Sequence, residues 1–154
     1  MAKAVQAVKE LVAGTRWAVV LSGSYGCGKT HLAYAAMNAA RESNQPYKFV
    51  RANDLMKQLR DAINESKHDM NAMSPDDWIA AYSRYFLLAL DDLGAHQSTD
   101  WSVAALFDIL DTRYRMEAPT LITTNLQPQH IDARLLSRYR QGVVVCMAPD
   151  YRNG

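Results

Sequence analysis

An α/β domain built on one mostly parallel sheet of five strands follows from three observations on this 154-residue chain. Short apolar runs alternate with helix-period segments from end to end. A glycine-rich turn links the first apolar run to the helix after it. No repeat, low-complexity tract or linker interrupts the pattern. Such alternation means helices covering a mostly parallel sheet, and the length suits a single domain over residues 1–154.

In chain order, residues 1–16 form an N-terminal helix with Val5, Val8 and Val12 on one face, and the core runs over 17–152. The predicted strands are Trp17–Ser22, Tyr47–Arg51, Tyr85–Asp91, Thr120–Thr124 and Val143–Met147. Their near-continuous apolar runs, such as FLLAL and VVVCM, suit strands buried on both faces. Between them, helical stripes fall at Leu32, Ala35, Ala36 and Ala39; at Leu55, Leu59, Ala62 and Ile63; at Val103, Leu106, Phe107, Leu110 and Tyr114; and at Ile131, Leu135 and Tyr139. Glu65–Met73 is polar, with methionines and no clean period, and reads as a loop. Ser74-Pro75-Asp76-Asp77 then starts a short helix to about Tyr82: serine caps the free amides, proline suits the first turn, and carboxylates favour the positive helix end.

With 17 basic and 16 acidic residues, the net charge of +1 gives no global field toward nucleic acid or membrane, so any such binding needs a local patch. Cys27 and Cys146 lie far apart in sequence and form no CxxC pair, which suggests neither a zinc site nor a disulfide framework and fits a reducing cytoplasm. The longest apolar runs fall short of the roughly 18 residues of a membrane span, and the start, MAKAVQAVKE, does not read as a signal peptide.

Gly23-Ser24-Tyr25-Gly26-Cys27-Gly28-Lys29-Thr30 matches GxxxxGK[ST] between a predicted strand and a predicted helix, the context that confirms a P-loop. The fold class becomes a three-layer P-loop NTPase. Glycines let the backbone turn its N–H groups into an anion nest, and the helix opening near Gly28 adds its free amides and dipole. Lys29 reaches the β- and γ-phosphates of ATP or ADP, and the Thr30 hydroxyl ligates Mg²⁺. Cys27 is either a small side chain tolerated in the loop or a thiol made reactive by positive potential.

Phe86–Asp92 is an apolar strand ending in two carboxylates, and a strand parallel to the P-loop strand delivers them to the same sheet edge. Asp91 can hold the Mg²⁺ shell; Asp92 can orient the attacking water or accept its proton. Asn125 closes the next strand, where it can bond the water or the γ-phosphate, or serve as an ordinary turn residue. The segment from Arg134 to Arg140 is a helix with arginines at spacing four, which by itself is equally a solvated basic face.

Together, GSYGCGKTHLA (with His31 after the P-loop), FLLALDDLG, TTN and RLLSRY resemble the AAA+ ATPases of the DnaC/IstB group, helicase loaders and transposition helpers, over about Trp17 to Arg152. The resemblance implies an AAA+ core without a C-terminal helical lid, in which His31 belongs to the nucleotide-binding segment. It makes Asn125 the sensor-1 residue and Arg138 an arginine finger acting on a neighbouring subunit's nucleotide, with Arg134 as fallback. Arg152 falls where these loaders present a sensor-2 arginine. Two departures stand out: Cys27 replaces the more usual threonine, and only about 16 residues precede the first strand, where family members carry a longer region that grips the helicase.

The resemblance thus implies an ATP-hydrolysing oligomer that binds single-stranded DNA and a replicative helicase. Its DNA contacts are expected between Lys48 and about Met73, among Lys48, Arg51, Lys57, Arg60 and Lys67, a set that equally suits a solvated helix. The alternatives are an IstB-like transposition helper on duplex DNA, a nucleotide-gated interaction module, and a small-molecule P-loop kinase. DNA strandedness separates the first of these from a loader.

Overall fold

A computed structural model describes residues 1–94 and 101–146. Helix α1 (Ala2–Val12) precedes β1 (Ala18–Ser22), α2 (Lys29–Glu42), β2 (Tyr47–Arg51), α3 (Ala52–His68), α4 (Pro75–Arg84) and β3 (Leu87–Asp91). Then come α5 (Trp101–Arg115), β4 (Thr120–Thr124), a 3-10 turn at Pro128–His130, α6 (Ala133–Tyr139), a second 3-10 turn at Arg140–Gly142, and β5 (Val143–Val145). Five strands form one parallel sheet in the order β2-β3-β4-β1-β5.

Alternate strand residues feed two cores. Val19, Leu21, Leu87, Ala89 and Leu121 meet α1 and α2 on one face; Ala18, Val20, Leu88, Leu90 and Ile122 meet α3 to α6 on the other. These three layers are the predicted P-loop NTPase architecture. Among the described residues no helix follows β5, and none is long and apolar enough to cross a membrane.

Several local expectations are corrected. Helix α1 buries Val8 of the valine stripe together with Ala4, Ala7 and Leu11, with Val12 partly buried against them and Val5 only half-buried, and α2 buries Ala33, Ala36, Met37 and Ala40, leaving Ala35 exposed. Alanines occupy several faces of both helices, so apolar spacing alone leaves the phase open. The expected loop over Glu65–Met73 begins later, because α3 runs on to His68. Its last turn projects past the core and has little to bury, which removes the apolar period without removing the helix. The helix stops where Asp69 turns extended and its carboxylate accepts the Asn71 amide at 2.8 Å.

The Ser74 cap forms as read, Asp77 completes it as a capping box, and α4 continues to Arg84. That delays β3 to Leu87: Tyr85 is the helix cap, and its carbonyl and that of Phe86 accept from Arg113. The last strand is shorter than expected, with Met147 outside the described residues.

Candidate nucleotide site

The strand order reverses around β1: its chain leaves toward β2 at one edge, and β5 returns on its other side. The C-terminal edge at such a switch point is where open α/β sheets bind ligands. Here β1 runs into the glycine-rich loop. Gly26 and Gly28 take φ of 75° and 91°, in the left-handed region that favours glycine. Gly28 caps α2 without any side-chain hydrogen bond among the described residues, so no side chain takes up the free amides at that end of the helix.

Lys29 is 6% exposed and curls back over this loop. Its Nζ donates to the carbonyls of Gly23 at 2.9 Å and Ser24 at 2.7 Å and lies 3.5 Å from Cys27 Sγ. Among the described residues no carboxylate pairs with it. A buried ammonium held only by dipoles strongly favours an anion beside it.

The facing wall comes from the ends of β3 and β4. Asp91 Oδ1 accepts from Thr30 Oγ1 at 3.0 Å and Thr123 Oγ1 at 2.7 Å. Asp92 sits at φ 57°, a conformation aspartate tolerates better than most residues, with its amide donating to Thr123 Oγ1 at 2.9 Å. Its Oδ1 accepts from Asn125 Nδ2 at 2.7 Å, while Oδ2 has no partner among the described residues. The Thr124 hydroxyl and the Thr123 carbonyl bind the main chain of Leu93, fixing the exit of β3 against β4.

A cavity of about 750 Å³ opens between these walls. Tyr25, Gly26, Gly28, Lys29, Thr30 and His31 line one side; Arg51, Asp91, Asp92, Thr123 and Asn125 line the other. Of the remaining loop residues, Ser24 is exposed, Cys27 is fully buried beneath the loop, and Gly23 lies against the main chain of Cys146. The cysteines, remote in sequence, are neighbours in the fold. Burial pushes the Cys146 thiol up, and the adjoining Cys27 adds to it.

Arg138 stands apart from this cavity. On α6 it forms an ion pair with Asp111 of α5 and donates to the Arg134 carbonyl at 3.2 Å. Arg134 pairs with Asp132, whose carboxyl it helps hold below the usual range, and lies 4.0 Å from the Phe107 ring centroid. Arg152 lies outside the described residues.

The basic residues between Lys48 and Lys67 divide. Lys48 lies over the Tyr82 ring, Lys57 bonds Asp61 at 2.6 Å, and Arg60 reaches Ser102 at 3.1 Å, whereas Arg51 faces the cavity. Arg51 and Thr123 are therefore cavity residues that motif reading passed over. Strand register holds the signal for the first, since Arg51 ends β2 where Asp91 ends β3 and the two are register partners.

Fold and site together define a P-loop ATP-binding protein of the DnaC/IstB type of AAA+ protein. The chain belongs to the family of IstB-like ATP binding proteins, whose model matches residues 3–138. It is 29% identical over 108 residues to the insertion sequence IS232 putative ATP-binding protein of Bacillus thuringiensis subsp. berliner, covering 70% of this chain and 40% of that protein. Among solved structures it is similar to the DnaC helicase loader, with TM-score 0.65, 28% identity, and coverage of 91% of this chain and 86% of that one. It is also similar to the replication initiator DnaA bound to AMPPCP and single-stranded DNA, with TM-score 0.75, 26% identity, and coverage of 93% and 45%. The chain spans under half the length of the curated relatives it matches, which include chromosomal replication initiator proteins DnaA.

Proposed function

We propose that this chain hydrolyses ATP as part of an oligomer, binds single-stranded DNA and loads a replicative helicase in the cytoplasm. The observation that carries the ATPase reading is the convergence on one cavity of a buried ammonium with no carboxylate partner among the described residues, a hydroxyl–carboxylate pair and an amide-held carboxylate. The single sheet, with α1 packed into it, supports reading residues 1–154 as one ATPase unit.

In this reading the main chain from Gly23 to Gly28 cradles phosphate oxygens, His31 flanks them, and Lys29 exchanges its carbonyl partners for the β- and γ-phosphates. Thr30 Oγ1 and Asp91 Oδ1, adjoining oxygens, suit a hard divalent cation, and they would hold Mg²⁺. When bound, Mg²⁺ neutralises charge building on the phosphate oxygens. Asn125 fixes one oxygen of Asp92, leaving the other to orient a water or accept its proton. Arg138, remote from its own cavity and tethered to Asp111, would serve a neighbouring subunit's nucleotide after releasing that tether. Arg152 completes the proposed set as a contact to the nucleotide of its own subunit.

The likeness to the DnaC helicase loader over 86% of that chain supports loading, and the likeness to DNA-bound DnaA supports a single-stranded substrate. The insertion-sequence relative favours a second reading, a transposition helper on duplex DNA.

ATP turnover against protein concentration, with and without each DNA, tests both. Lys29→Ala and Arg138→Ala each lower turnover by about 10³-fold or more. Mixing the two restores part of it, because an intact nucleotide site then meets an intact arginine. Stimulation by single strands selects loading, and by duplex the transposition helper. Wild-type turnover by Arg138→Ala at every concentration would overturn the oligomeric mechanism.

A further inference from the structure

We propose that Cys27 and Cys146 form a reversible disulfide that clamps the P-loop to the end of β5 and turns off nucleotide binding. This rests on the reading that the P-loop takes nucleotide. The Cys146 amide donates to Ser22 O at 2.6 Å, so the chain leaving β5 runs directly beside the start of the loop. A side chain on Gly23 would begin 2.5 Å from Cys146 O and 3.1 Å from its Cβ. On the other side of Gly23, Lys29 Nζ bridges the Gly23 carbonyl and Cys27 Sγ. Both cysteines belong to one apolar cluster, 0% and 3% exposed, and both are reduced.

Burial raises the Cys146 thiol above its usual range and makes its thiolate scarce, so Cys146 is assigned the second step rather than the first. With a peroxide as oxidant, the Cys27 thiolate attacks one peroxide oxygen, the O–O bond breaks, and hydroxide leaves and takes up a proton as water. Cys146 sulfur then attacks the sulfenic sulfur, the S–O bond breaks, and the thiol proton departs with that hydroxyl as a second water. Two thiols are oxidised and one peroxide is reduced. The three-residue edge strand β5 offers access, since short edge segments open locally without global unfolding.

A disulfide holds its sulfurs at about 2 Å, well inside their non-bonded contact. Closing it pulls Cys27 toward β5, distorts the amide nest and removes a contact of Lys29. Bound nucleotide, by fixing the loop, must oppose closure to the same extent.

The test treats the reduced protein with hydrogen peroxide, blocks free thiols, maps disulfides by mass spectrometry, and measures affinity for a fluorescent ATP analogue. Expected is an intramolecular Cys27–Cys146 link with at least about tenfold weaker binding, reversed by dithiothreitol and slowed by prior ATP. Cys146→Ala binds the analogue when reduced and keeps that affinity after peroxide. A reduced protein that binds the analogue but forms no such link, or forms it with unchanged affinity, overturns the proposal. Failure of the reduced wild type to bind at all would instead refute the nucleotide site.

Discussion

Arg113 is fully buried near the end of α5 and faces no carboxylate among the described residues. Nε donates to Thr120 Oγ1 at 2.9 Å; Nη1 reaches the carbonyls of Tyr82, Ser83 and Tyr85, and Nη2 those of Phe86 and Pro119. One planar cation thus ties the α4–β3 connection to the start of β4, the two strands whose far ends carry Asp91 and Thr123. Burial pushes its pKa down to about 10, and this ring of acceptors compensates the charge. Arg113→Met removes all of these donated bonds, although the Pro119 carbonyl keeps the Leu88 amide, and is expected to cost about 3 kcal/mol or more, read as a lower urea midpoint. A midpoint within experimental error of the wild type would refute this role. Nothing in the sequence announces Arg113, because all its partners but the Thr120 hydroxyl are main-chain oxygens that every residue possesses. Lys29, Thr30, Asp91 and Asn125 were legible because a phosphate site needs particular side chains at particular strand ends. The cysteine pair was hidden for the opposite reason: its proximity comes from β5 docking beside β1, which no local spacing encodes.

Element starts were legible where they are marked chemically. Ser74-Pro75-Asp76-Asp77 satisfies its own first-turn amides, so α4 starts where the residues say. The end of α3 depends instead on which turn still touches the core, and the faces of α1 and α2 on how alanines pack beneath the sheet. Strand β5 shows how much one glycine can carry. A methyl on Gly142 would stand 2.7 Å from Ala18 O and 2.8 Å from its carbonyl carbon, and main chain cannot yield as a side-chain tip can. Gly142→Ala must therefore move β5 off β1, lowering stability by about 1–3 kcal/mol. Because the chain after β5 backs Gly23, nucleotide affinity should fall with it. Thermal unfolding and analogue titration check the two effects; a variant weakened in neither would show that β5 docks loosely.

For the whole molecule, two buried tyrosines set an alkaline limit. Burial pushes Tyr82 and Tyr139 up to about 12; their hydroxyls donate to Gln58 at 2.7 Å and to Leu110 O at 2.8 Å. An unfolded tyrosine ionises near 10, so the folded state keeps these protons longer. Their contribution is complete below about pH 10 and is lost as pH rises toward 12. Arg113, with its pKa lowered, acts in the opposite direction over that window, but singly against two. Urea midpoints should therefore fall from pH 10 upward, and Tyr139→Phe should flatten the decline; an unchanged slope would remove Tyr139 as its source. The parallel sheet also imposes an order in time. β1, which carries the P-loop, has β4 and β5 as its sheet neighbours, from Thr120 and Val143 onward. On a ribosome, β1 waits unpaired from Ala18 until synthesis has passed Thr120, with no local hairpin to shelter it. The nucleotide site thus comes into being only after β4 does, and a chain whose synthesis stops before β4 cannot build it.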